Sequence, residues 1–168
     1  MPELQRVRAD HAAAVLDFEL GNRGYFTASI SDRGDEYFSQ FAERHKLLLA
    51  EQQAGLGVFY VLVGEDGAVL GRFNLYDIND GTAVLGYRVA QRVAGRGVAT
   101  AAVREVSRLA AQDGLRSLRA AVSATNPASR KVLTKAGFVP VGAAVVGGHP
   151  GTWYQLDLGR AHGQSNGS

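Results

Sequence analysis

The chain has no cysteine in 168 residues. That excludes a disulfide framework, a thiolate nucleophile and any zinc site built on cysteine. No run of about 18 apolar residues occurs, so no membrane-spanning helix is expected. Glu3, Arg6, Arg8 and Asp10 interrupt the first ten residues, which leaves no apolar stretch for a signal peptide. A cytoplasmic location is the expectation from these absences. Lysine is also scarce: of 18 basic residues only Lys46, Lys131 and Lys135 are lysines. The net charge of +2 is too small to point to a nucleic-acid-binding face. Three of the four histidines, His11, His45 and His162, stand far apart without metal-ligand spacing, so no metal site is expected.

What is present is ordinary for one soluble domain, with 46% hydrophobic and 20% charged residues. Residues 1–158 read as a single domain, and 159–168 read as a polar, glycine-containing, disordered tail. Leu4 to Arg8 has strand character, and Asp10 is placed to cap a helix reaching about Leu20. Gly21-Asn22-Arg23-Gly24 breaks it. A second helix is expected from Ser31 or Asp32, with Asp35 and Glu36 near its positive end and a loose stripe of Phe38, Phe41, Leu48 and Leu49. Then the periodicity changes. Val58 to Val63, Val69 to about Ile78 and Thr82 to Val89 read as strands, separated by Glu65-Asp66-Gly67 and Asn79-Asp80-Gly81. Asp-Gly between such runs marks tight hairpins, which predicts an antiparallel meander.

A helix is predicted from about Gly97 to Gln112, with Ala102, Val106 and Leu109 on an apolar face and Gly114 ending it. Leu118 to Ser123 is the next strand, and strand–helix–strand without reversal implies a parallel pair. Asn126-Pro127 opens another helix, with proline at its first position, running to Gly137. Val139 to Val146 and Thr152 to Leu158 close the chain as a hairpin around Gly147 to Gly151. The loop Ala94-Gly95-Arg96-Gly97-Val98-Ala99 lies between a strand and a helix. Free amides at a helix start and the positive end of its dipole suit an anion, and Arg96 and Thr100 add a charge and a hydroxyl. A tight turn with no ligand fits the same letters. A nucleotide P-loop needs lysine after the glycines, and a dinucleotide site needs an acid near the end of the next strand. This chain has neither.

Leu85-Gly86-Tyr87-Arg88-Val89, the loop Val93 to Thr100, and Asn126-Pro127-Ala128-Ser129-Arg130 ending in Gly137-Phe138 together resemble the GNAT acetyltransferase superfamily. Within it they are similar to the branch of ribosomal-protein-alanine N-acetyltransferases, over Leu4 to about Leu158. The resemblance implies an α+β fold: a mixed, mostly antiparallel twisted sheet of about seven strands with a central splayed parallel pair, flanked by about four helices. It implies acetyl-CoA as co-substrate, with the pyrophosphate on Ala94, Gly95, Arg96, Gly97, Val98, Ala99 and Thr100. It also implies pantetheine contacts at Val89 and Asn126, and a 3′-phosphate near Arg130 or Lys131. The activity implied is direct acetyl transfer to a primary amine, a protein or peptide N-terminus ahead of a small-molecule amine. The oligomeric state, monomer or homodimer, is left open.

Two departures from the family pattern concern proton transfer. Many relatives carry a glutamate where this chain has Val84, and a tyrosine where it has Leu133. A CoA-binding protein with little activity is therefore the alternative reading. Ser129 is the candidate donor to the leaving thiolate, with local helix capping as its other reading, and Asn126 assists it. Glu19, Asp17, Asp77 and His149 are base candidates, although a water relay would also serve. Asn22 and Arg23 are expected to line the acceptor groove, and Trp153 and Tyr154 to be core or cleft wall.

Overall fold

The computed structural model describes residues 1–159. The tail predicted from 159 onward falls, apart from Gly159, outside the described residues. Seven strands form one sheet in the order β1-β2-β3-β4-β5-β7-β6. They are β1 Glu3–Arg6, β2 Val58–Val63, β3 Val69–Asn79, β4 Thr82–Val89, β5 Ser117–Ser123, β6 Val139–Val146 and β7 His149–Asp157. All pairings are antiparallel except β4 with β5, as the meander and the crossover predict.

Among the described residues six α-helices flank the sheet: α1 Ala12–Gly21, α2 Arg23–Thr27, α3 Asp35–Ser39, α4 Phe41–Gln53, α5 Val98–Gln112 and α6 Pro127–Lys135. The expected four became six because both N-terminal helices are jointed. The first resumes as α2 beyond Asn22, and the second begins at Asp35 rather than Ser31 and is interrupted at Gln40. Asp10 does not cap α1. It lies in a 3-10 turn, Ala9–His11, and pairs with Arg8 at 3.0 Å. His11 closes this turn, its Nδ1 accepting from the Arg8 amide at 2.9 Å, and His45 Nε2 meets the Arg8 carbonyl at 3.0 Å. Two histidines distant in sequence thus grip one residue's backbone, a structural role that their spacing did not suggest. The closing hairpin is tighter than predicted: Val146 pairs directly with His149, which leaves Gly147-Gly148 as the turn.

The two sheet faces carry separate cores. Helix α5 places Ala102, Val103, Val106 and Ala110 on one face against Phe73, Leu75, Leu85, Leu118 and Ala120. Leu109 flanks this stripe only partly buried. On the other face Val15, Phe18, Phe26 and Phe41 cover Phe59, Val61 and Val69 of the N-terminal strands. Among the described residues no helix is long and apolar enough to cross a membrane.

An ionic cluster lies under that second layer. Glu19 of α1, 1% exposed, accepts from Arg33 at 2.9 Å, Arg72 at 2.8 Å and Arg88 at 3.3 Å. Arg72 and Arg88 are direct partners in the β3–β4 register, so the sheet itself aims both at one carboxylate. Burial alone would push the Glu19 carboxyl up, but the three guanidinium groups hold it below its ordinary value. A charge-neutral replacement leaves three cations facing one another with no anion. Glu19→Gln is expected to lower the unfolding free energy by about 3–5 kcal/mol, the range for breaking a buried pair, read from urea unfolding. The carboxylate contributes fully above its unfolded value of 4.5, and the contribution is lost as pH falls through the lower folded value. The gap between wild type and Glu19→Gln is therefore expected to shrink on acidification.

Candidate active site

Strands β4 and β5 pair over only three rungs, Thr82–Ser117, Ala83–Leu118 and Val84–Arg119. Beyond Val84 they part. β4 stays bonded to β3 as far as Val89, and β5 stays bonded to β7 as far as Ser123. The opening leaves the facing edge of Leu85 to Val89 without a strand partner, where an extended ligand carrying amides can add as a strand.

The loop after β4 ends at this opening. Ala90 is buried and its amide bonds the Leu70 carbonyl at 2.8 Å, which fixes the exit of the strand. Gly95 and Gly97 have φ of 75° and 76°, values that side-chain-bearing residues rarely adopt. With these two turns the chain presents consecutive amides to one side and starts α5 at Val98. None of the amides from Gly95 to Thr100 finds an acceptor among the described residues. Exposed donors in series at a helix N-terminus suit a pyrophosphate. The residues present therefore fit the coenzyme predicted from sequence.

Two cavities flank the opening. One, of about 530 Å³, is lined by Val89, Ala94, Gly95, Gly97, Ala99, Thr100, Asn126, Lys131 and Lys135, among others. Arg96, Val98 and Arg130 do not line it; its cations are Arg88, which pairs with Glu19, and Lys131 and Lys135. The second, of about 610 Å³, is lined by residues 27–31, by Tyr76, Gly86 and residues 120–123, and by His149. Ser29, Ile30, Tyr87, Asn126 and Ser129 line both. At that neck Asn126 caps α6, its Oδ1 accepting from the Ser129 amide at 3.3 Å. The cap turns Ser129 toward β4, where its Oγ lies 2.7 Å from the Tyr87 hydroxyl. The Tyr87 ring stacks on Phe73, its partner in the β3–β4 register, at 5.5 Å between centroids. Burial pushes the Tyr87 phenol up to about 12, against the opposing hydrogen bond with Ser129. Tyr87 is therefore a protonated hydroxyl at neutral pH.

Residues 3–139 match the acetyltransferase (GNAT) domain family. The chain belongs to the GNAT acetyltransferases. It is accordingly an acetyl-CoA-dependent N-acetyltransferase acting on a primary amine. The fold is shared with the ribosomal-protein-S5-alanine acetyltransferase of Vibrio fischeri, at a TM-score of 0.87 and 18% identity, covering 95% of this chain and 94% of that one. It is shared too with Mycobacterium smegmatis RimJ in complex with CoA-disulfide, at 0.82 and 23% identity, covering 96% and 83%. A third likeness is the spermidine N-acetyltransferase of Vibrio cholerae in complex with CoA and spermine, at 0.79 and 15%, covering 95% and 97%. No curated protein matches.

The other sequence candidates of this GNAT enzyme scatter. Asn22 fastens the α1–α2 joint to the coenzyme loop: its Nδ2 donates to the Phe18 carbonyl at 2.9 Å and its Oδ1 accepts the Gln91 amide at 2.9 Å. Arg23 is bound by Asp32 and Asp35, both at 2.8 Å, and lies over the Phe38 ring. Neither lines a cavity. Glu19 is enclosed by arginines and held ionised, which argues against proton acceptance. Asp17 and Asp77 are exposed outside both cavities, and His149 alone of the four base candidates lines one. Tyr154 is core and Trp153 lies under Arg119. The residues missed are those of 27–31 and Tyr87. Tyr87 stood inside the strand motif that carried the resemblance, and a tyrosine beside a ligand loop was the available signal.

A Cβ added at Gly97 would meet no protein atom within 4 Å, so the position is open beside the free amides of the loop. Gly97→Glu sets a carboxylate there as well as straining φ. CoA affinity by calorimetry is expected to fall at least about 100-fold, with an unchanged circular dichroism spectrum. Retained affinity would remove the loop from the coenzyme site.

Proposed function

We propose that this enzyme acetylates the α-amine of a peptide or protein N-terminus bearing a small first side chain. The observation that carries the reading is the lining of the 610 Å³ cavity, which contains hydroxyls, apolar groups and His149 but no aspartate or glutamate. A polyamine brings several cations and would be left without counter-charges there. A single neutral amine on a small residue meets the hydroxyls of Thr27, Ser31, Ser123 and Thr125 and requires no acid.

Bound acetyl-CoA supplies a thioester whose carbonyl carbon a neutral amine can attack. The amides of residues 95–100, with Lys131 and Lys135, hold the phosphates, and the unpaired edge from Leu85 to Val89 receives the pantetheine arm. Asn126 positions Ser129, and the Val89 end of the strand borders the arm. The Tyr87–Ser129 hydroxyl pair stands where the two cavities meet and donates a proton to the sulfur as the C–S bond breaks. The amine nitrogen forms the new C–N bond and releases its surplus proton into the acceptor cavity, to His149 or to water. Reprotonation of the hydroxyl pair from solvent closes the cycle. No carboxylate base is required if the amine enters neutral, so the rate is expected to climb with pH through the acceptor amine's own titration.

Release of free thiol with peptides beginning in alanine or serine, compared with spermidine, tests the acceptor class. Turnover confined to spermidine would sink it. For the hydroxyl pair, Tyr87→Phe and Ser129→Ala are each expected to lower kcat by about 100-fold, the scale of general acid catalysis. CoA affinity should be unchanged. The double variant should lose little more than either single one, as for residues acting as a unit. Additive losses would separate the two roles.

A further inference from the structure

The sheet face that floors the acceptor cavity continues outward over β5, β7 and β6. Among the described residues no helix packs extensively on β6 or β7, and α6 meets β5 through Leu133 in the core of the opposite face. The uncovered face presents Arg119 and Trp153. Alternation along β5 puts Arg119 on the same side as Ala121 and Ser123, both of which line the acceptor cavity. The Arg119 guanidinium stacks over the Trp153 indole, 4.6 Å from its centre. No carboxylate lies within ion-pairing distance of it among the described residues, and its Nε is shut off from water with no acceptor. Its neighbours do not help. Val84, its rung partner on β4, is apolar, and Gln155, its partner on β7, donates instead to Asp157 at 3.0 Å. A half-buried guanidinium held over an indole, with no carboxylate of its own and its terminal nitrogens not closed off as Nε is, can take a carboxylate on those nitrogens.

We propose that Arg119 and Trp153 form a carboxylate subsite for the acceptor, taking an acidic side chain just behind the amine that enters the cleft. The subsite rests on the reading of the acceptor as a peptide. Arg119 lies two residues, about 7 Å, along β5 from the cavity wall at Ala121. An extended peptide advances about 3.4 Å per residue, which places the acid at its second to fourth position. The arginine–tryptophan pair has the residue types that dominate binding at protein interfaces.

Trp153 is the chain's single tryptophan, so its fluorescence reports on this subsite without turnover. The probes are two peptides beginning with alanine that differ only in glutamate or glutamine at the third residue, titrated in the presence of CoA. The glutamate peptide is expected to bind about tenfold tighter, with a saturable change in Trp153 emission. Arg119→Gln should erase the difference and Arg119→Lys should keep part of it, with CoA affinity unchanged in both. Equal affinity of the two peptides for the wild type overturns the subsite, and that comparison stands even if the variants do not fold. A preference that survives Arg119→Gln overturns it as well. So does an emission change that depends on protein concentration without peptide, which marks a second copy on this face. Thiol release separates the two levels: turnover of both peptides with equal KM overturns the subsite alone, whereas no turnover of either overturns the peptide reading and the subsite with it.

Discussion

Strands β4 and β5 hold together for three rungs and then part, and the site depends on that parting. Each strand keeps its outer partner, so the sheet does not come apart when the central pairing stops. The gap leaves backbone groups of β4 unpaired, brings the α6 N-terminus against Tyr87, and lets the two cavities share one neck. A fully paired β4–β5 ladder would close that neck. The unpaired edge is tolerable because an extended ligand can complete it, and because the opening is short.

Charge is distributed with the same economy. The buried Glu19 sits among three arginines and draws α1, the loop carrying Arg33, and strands β3 and β4 together behind the coenzyme opening. Its surroundings stabilise the ionised form, which makes it a structural anion. Asn22 plays a comparable part without charge, tying the α1–α2 joint to the loop that leads into the free amides. Both residues are polar and close to the cleft in sequence order, and both hold the frame around the chemistry.

The absence of glutamate at Val84 and of tyrosine at Leu133 left the proton path open on sequence grounds. A different tyrosine, from the strand rather than the helix, reaches the same neck and meets Ser129. Val84 in turn leaves Arg119 without a carboxylate on the neighbouring strand.

Features set by local backbone chemistry were legible in the sequence. Asp-Gly turns placed the meander, Gly95 and Gly97 marked the turns that lead into α5, and Asn126-Pro127 began α6, because each depends on conformations that few residues can adopt. The break after α1 was legible in Gly21-Asn22-Arg23-Gly24, but the helix that resumes beyond it and the interruption at Gln40 were not, because neither carries a strong local signal. Asp10 looked like a cap, yet it lies inside the 3-10 turn and α1 starts without a side-chain cap. Tertiary structure alone decided which polar residues face a cavity. Tyr87 and Ser129 stand 42 residues apart and Glu19 and Arg72 stand 53 apart, and only the closed sheet brings such pairs within hydrogen-bonding distance. The loop of free amides could be read from the chain because a run of adjacent residues builds it; the Tyr87–Ser129 contact and the two cavities could not, because strands and helices distant in sequence build them.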